Sequence, residues 1–96
     1  MLDKKDRQKL ISLAQTLEPL LILGKNGLSE NIYSEIEAIL DAREILKIRL
    51  LRSCDVTVSE LIEAVEKNVG ADCVNHLGSV AVFYKRSTKQ GVKHLL

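Results

Sequence analysis

Residues 20–30 read LLILGKNGLSE, an apolar run, a glycine-flanked loop and a helix start in succession. Leu20 to Leu23 are four apolar residues in a row after Pro19, too short a run for a helix and closed by a glycine. They predict a short strand buried on both faces. Gly24-Lys25-Asn26-Gly27 then forms a loop. Asn-Gly is a preferred turn dipeptide, and glycine tolerates positive φ. Ser29 is a good N-cap for a helix over about residues 30–42, with Glu30 in the first turn where the helix dipole favours an acid. Leu28 and Tyr33 suit a hydrophobic staple, and Ile32, Ile36, Ile39 and Leu40 supply the buried stripe. The unit is therefore strand, glycine loop, helix.

The pattern continues on both sides. Upstream, Leu10, Leu13, Ala14 and Leu17 mark a helix over residues 4–17, with Asp3 at its start and Pro19 beyond its end. Downstream, residues 45–51 alternate: Leu46, Ile48 and Leu50 share one face, Lys47 and Arg49 the other. The cationic face should be at least partly open to water or a ligand. Thr57 and Glu60 make a capping box, and Val56 with Leu61 a staple, for a third helix carrying Val58, Leu61, Ile62 and Val65. Gly70 suits the C′ position. Residues 72–77 and 80–85 form two strands around a tight turn at Gly78-Ser79. The order α-β-α-β-α-β-β predicts an α/β fold: a single four-stranded mixed sheet packed with three helices. The domain runs over residues 1–86. Residues 87–96, polar and basic until Leu95-Leu96, are expected as a loosely held, flexible basic tail.

With 96 residues, 46% of them hydrophobic, the chain suits one domain able to bury its own core. It has no apolar stretch of membrane-spanning length, and Met1 to Asp6 lack the apolar core of a secretory signal. Two cysteines are too few for a disulfide framework. These features point to a cytoplasmic protein. The net charge of +1 hides a sorting by segment: residues 1–9 carry +2, 28–44 carry −4, 45–52 carry +3, 53–72 carry −4 and 73–96 carry +4. Such sorting builds a basic face and an acidic face on one small body, or simply a mixed soluble surface.

The glycine loop has two readings. It is a turn, or it is a phosphate clamp, since it bares backbone N–H groups, carries Lys25 and no acid, and opens into a helix N-terminus. It is neither a P-loop nor a dinucleotide fingerprint, whose glycine spacings are longer, but it is similar to the GxxG backbone clamp of KH domains. Lys4, Lys5, Arg7 and Lys9 crowd the opening turns of the first helix, where the dipole opposes cations.

Cys54, Cys73, His76 and His94 supply the ligand count of a structural zinc, but Cys73 and His76, three apart on a strand, should face opposite sides, and His94 lies in the tail. No metal or other cofactor is expected. No nucleophile–base order marks an enzyme. Tyr33, Phe83 and Tyr84 are the only aromatics, too few for a base-stacking platform. Nucleic acid would be held mainly through its phosphates and shape.

Taken together, the first helix, Pro19, the strand, Gly24-Lys25-Asn26-Gly27, the second helix, Ala42-Arg43-Glu44-Ile45-Leu46-Lys47-Ile48, and Gly78 followed by Phe83-Tyr84-Lys85 resemble the YhbY-like CRM-domain proteins. The resemblance covers residues 4 to 86. It implies a fold similar to the C-terminal domain of bacterial translation initiation factor three, and RNA as the partner. Stand-alone bacterial members associate with precursors of the large ribosomal subunit, and plant organellar relatives act in intron splicing. The resemblance also implies that Gly24, Lys25, Asn26 and Gly27 contact RNA, flanked by the basic residues of the first helix. Arg43 and Glu44 match a helix-end signature with a structural role. The chain departs from the family at Ile22, at Ser79 and at Lys85, where lysine keeps the charge of the usual arginine but loses its planar fork.

The expected RNA-contacting set is Gly24, Lys25, Asn26, Gly27, Lys4, Lys5, Arg7, Lys9, Lys47 and Arg49. The expected protein is a monomer that binds ribosomal RNA in large-subunit precursors, with no membrane and no small-molecule substrate. Two rival readings are a protein-interaction module using the acidic helices 30–44 and 58–69, separated by the salt dependence of binding, and a factor of mature ribosomes, separated by sedimentation.

Overall fold

A computed structural model describes residues 2–25 and 27–96. The elements follow the expected order: α1 (Lys4–Gln15), β1 (Leu21–Leu23), α2 (Glu30–Arg43), β2 (Ile45–Leu50), α3 (Val58–Asn68), β3 (Asp72–Leu77) and β4 (Val80–Tyr84). Local chemistry sets the helix starts. The Asp3 carboxylate accepts from Asp6 N–H, the Ser29 hydroxyl from Ile32 N–H, and Thr57 and Glu60 close a reciprocal capping box. Gly70, at φ 76°, lies just past the α3 C-cap Val69.

The sheet order is β1-β2-β4-β3. β1 runs parallel to β2, while β4 is antiparallel to both β2 and β3 and lies between them. Alternation along the strands divides the core in two. Leu23, Leu46, Ile48, Leu50, Ala81 and Phe83 meet Ile36 and Leu40 of α2 and Leu61 and Val65 of α3. Ile45, Val74, Val82 and Tyr84 meet Leu10 and Ala14 of α1 on the opposite face. One helix therefore covers one face and two helices cover the other.

This unequal cover corrects the expectation for β1. The strand is an edge, and only one of its faces is buried. Leu21 and Leu23 face the larger core, whereas Ile22 is 54% exposed, because α1 does not extend over it.

Three cations hold elements together. Lys47 Nζ donates to the carbonyls of Ala14 (3.2 Å) and Leu17 (3.1 Å) at the end of α1. Lys85 Nζ donates to Val69 O (2.8 Å) at the end of α3. Both ammonium groups reach carbonyls at helix C-termini, where the dipole favours a cation, and Ala14 O also accepts from Leu17 N–H. Arg7 donates to the carbonyls of Cys73 (2.9 Å) and Val74 (2.8 Å), tying the first turns of α1 to edge strand β3.

Residues 87–96, expected to hang loosely, lie back on the domain. The organising group is Glu44, fully buried and left-handed at φ 68° as the C-cap of α2. Its carboxylate accepts from Ser87 N–H (2.7 Å) and Leu95 N–H (2.8 Å) and meets His94 Nδ1 at 2.6 Å. The Ser87 hydroxyl donates to Asp41 of α2, and Leu95 and Leu96 cover the smaller core. A buried carboxylate needs such donors, and this segment provides them. Among the described residues no helix is long and apolar enough to cross a membrane.

Candidate nucleic-acid interface

The glycine loop is a closed turn: Gly27 N–H donates to Gly24 O at 3.0 Å. The two glycines differ in what they require. Gly27 has φ 58°, and a Cβ there would lie 3.3 Å from Val56 Cγ2. Gly24 has no such φ, and a Cβ would meet Leu51 Cδ1 and Ser53 Oγ at ordinary distances of 3.6 and 3.7 Å. The loop thus rests on the segment that joins β2 to α3. Lys25 is exposed. Asn26, expected in the contact set, lies outside the described residues. At the following helix start, Ile32 N–H is bonded to Ser29 and Glu30 occupies the first turn. The exposed Lys25 is the cation the loop itself carries, whereas the Ser29 cap and the first-turn acid Glu30 disfavour an anion at the start of α2.

The topology gathers other groups around this loop. β1 and β2 are parallel, so the loop and residues 51–57 leave the sheet at the same end. The Gly78-Ser79 turn joins them there, with Leu50 N–H donating to Ser79 O at 2.8 Å. A basin of about 680 Å³ opens between residues 49–58 and this turn, lined in part by Arg49, Arg52, Thr57 and Ser79. Arg49 and Arg52 are both exposed. Arg52 was missing from the expected set. Its signal was the +3 charge of residues 45–52, read as a strand face that stops at residue 51.

Other expected residues are placed differently. Lys47 and Arg7 have their cationic groups bonded to backbone carbonyls of the fold. Lys4, Lys5 and Lys9 are exposed, but the first helix does not bring them beside the loop. Arg7 anchors α1 at the start of β3, whereas the loop follows the end of β1 on the opposite edge. Strand spacing and rise put these two corners of the sheet roughly 20 Å apart.

The thiols and histidines show no assembled chemistry. The β3 bulge between Cys73 and Asn75 sets Cys73 opposite Phe83 and His76 opposite Ala81, partners on one face, so the expected division of this pair between two faces is not what the strand adopts. Burial, with a smaller contribution from Glu66, pushes the Cys73 thiol above its ordinary pKa, which lowers its thiolate fraction. His94 is engaged with Glu44. Among the described residues no three His, Cys, Asp or Glu side chains gather as metal ligands.

This architecture is shared with known proteins. Residues 2–85 match the family model of the CRS1 / YhbY (CRM) domain, and the chain belongs to that family. It is 33% identical over 87 residues to "Probable RNA-binding protein YqeI" of Bacillus subtilis, covering 91% of each chain. It is 32% identical over 92 residues to a protein of Haemophilus influenzae named "RNA-binding protein", covering 96% of this chain and 93% of that one. Its fold is similar to the solution structure of the protein SAV1595 from Staphylococcus aureus, described as a candidate RNA-binding protein. The TM-score is 0.75 at 31% identity, and 94% of each chain is covered.

Proposed function

We propose that this protein binds RNA, holding it chiefly by the phosphate backbone at the end of the sheet where the glycine loop lies. The observation that carries the reading is the placement of three exposed cations, Lys25, Arg49 and Arg52, at that one end of the sheet, beside a loop whose Gly27 lies in the left-handed region. The names of the relatives support RNA as the ligand. The aromatic side chains support phosphate and shape over aromatic base stacking: Phe83 and Tyr84 are buried, and Tyr33 packs against the larger core. Lys4, Lys5 and Lys9 form a second positive cluster that a longer or folded RNA would span. The protein acts as a cytoplasmic monomer on ribosomal RNA in precursors of the large subunit, as an assembly factor and not as an enzyme.

Crosslinking in cells followed by sequencing of the attached RNA tests the target, and gradient sedimentation tests the stage. Large-subunit ribosomal RNA and co-migration with immature particles are expected. Recovery with mature ribosomes alone would replace assembly by a role in translation. Purified protein that binds no RNA at low salt would favour a protein-interaction module using the acidic helices.

A further inference from the structure

The last level of the sheet on the α1 face is a line of four side chains, one from each strand. Ile22 pairs with Arg49, Arg49 with Val80, and Val80 with Leu77. Three strand gaps make the line roughly 14 Å long. Helix α1 covers the levels built on Ile45 and Val82 and stops before this one. Ile22 is 54% exposed, Leu77 is 82% exposed, and Arg49 between them is exposed as well. The row thus sets two open apolar side chains, one at either end, around an exposed arginine and a half-buried valine.

The charge around the row selects the partner. On one side lies the basin containing Arg49 and Arg52. On the other lies a groove of about 270 Å³ between α1 and the sheet, whose lining includes Lys47, Asn75 and Leu77. Among the described residues no carboxylate lines either hollow. Two further hollows elsewhere contain Glu37 with Asp41 and Glu60 with Glu63. In a chain with 13 acidic and 14 basic residues, acid-free borders on both sides favour an anionic partner. An apolar protein surface would leave Arg49 without a counter-charge in the middle of the contact. Unpaired RNA meets both demands: its bases offer flat faces to aliphatic side chains and to a guanidinium plane, and its phosphates suit Arg52. The row also begins at Ile22, two residues before Gly24, so it continues directly from the glycine loop.

We propose that Ile22, Arg49, Val80 and Leu77 form a shelf on which unpaired nucleobases lie, next to the phosphate held at the glycine loop. The proposal rests on RNA binding at that loop and adds the class of RNA: a strand with accessible bases, not a continuous duplex.

The test uses a mixed-sequence single-stranded RNA of about ten nucleotides and the same strand annealed to its complement. Two variants are compared with wild type, Leu77→Ser and Ile22→Ser/Leu77→Ser. The first replaces a side chain that supports no core, so it stays informative if the second loses stability. Single-strand affinity should fall roughly three- to tenfold in the double variant and by a smaller factor in Leu77→Ser, with the salt slope and the duplex affinity unchanged. Lys25→Ala should instead lower affinity for both RNAs and reduce the salt slope. Wild-type single-strand affinity in folded variants would overturn the shelf while leaving the loop reading intact. Equal losses for strand and duplex would also overturn it. So would a change in the self-association of free protein on substitution, which would assign the row to a second copy. Wild type that binds neither RNA would remove the loop reading, and the shelf with it.

Discussion

Gly27 and Glu44 show how one residue fixes a region, and each supports a prediction. Gly27 sits at φ 58° with Val56 in the way of any Cβ, while Gly24 has room for one. Gly27→Val should therefore cost about 1–2 kcal/mol or more, from the left-handed conformation and the clash together, and should reduce RNA affinity by shifting the turn. Gly24→Ala should change stability by less than about 1 kcal/mol. Urea denaturation checks both, and equal losses would show that the two glycines are not distinguished as the geometry requires. At Glu44, burial raises the carboxyl pKa, but the hydrogen bonds from His94, Ser87 and Leu95 outweigh it and hold the group below its ordinary value of 4.5. The folded protein then binds fewer protons than the unfolded chain in that range. The resulting stabilisation is complete above the ordinary value and is lost as pH falls below it, through the lowered pKa. Denaturation curves between about pH 3 and 7 should show Glu44→Gln less stable than wild type at neutral pH, with the gap narrowing on acidification. A constant gap across that range would mean that the charge of Glu44 contributes nothing.

At the scale of elements, cations divide between those that join parts of the fold and those left for a ligand. Lys47 bonds the end of α1, whereas Arg49, two residues along the same face of β2, is exposed. Lys47→Met should cost about 1–2 kcal/mol of stability and leave RNA affinity nearly unchanged. Arg49→Ala should leave stability within about 0.5 kcal/mol and weaken RNA binding. Thermal melts with binding titrations separate the pair, and the reverse pattern would exchange their roles. The sequence does not reveal this division. Lys47 and Arg49 look equivalent by alternation, and what separates them is the end of a helix some thirty residues earlier. The same cause hid the exposure of Ile22: an apolar strand is covered only where a helix from elsewhere reaches it. The β3 bulge likewise undid an alternation argument for Cys73 and His76. Features written in adjacent residues were legible, including the Thr57/Glu60 capping box, the Ser29 cap, the turn at Gly78 and the strand-loop-helix order around Gly24. The anchoring of residues 87–96 was not, because its acceptor, Glu44, is a remote charged residue that reads as solvated until the fold buries it.

Across the whole molecule, charge that is nearly neutral in sum is distributed by the fold to separate corners. Lys4, Lys5 and Lys9 lie on α1, whose start is fixed at β3, and Lys25 lies beyond the opposite edge. A short RNA held at the loop should not feel both, while one reaching across roughly 20 Å should. Changing Lys5 and Lys9 to Gln should leave affinity for a six-nucleotide RNA near wild type and reduce it several-fold for a long structured RNA. Thermal stability should be unchanged or slightly raised, because these cations oppose the α1 dipole. Equal reductions for both RNAs would place the helix and the loop in one compact site. Whether phosphate contacts at the glycine loop hold RNA is decided by the dependence of affinity on salt in wild type and Lys25→Ala. A steep fall of log K with log salt is predicted for wild type, with a slope smaller by about 0.7–0.9 in the variant, the loss of one phosphate contact. Affinity that is flat with salt, or the same slope in both proteins, would contradict it.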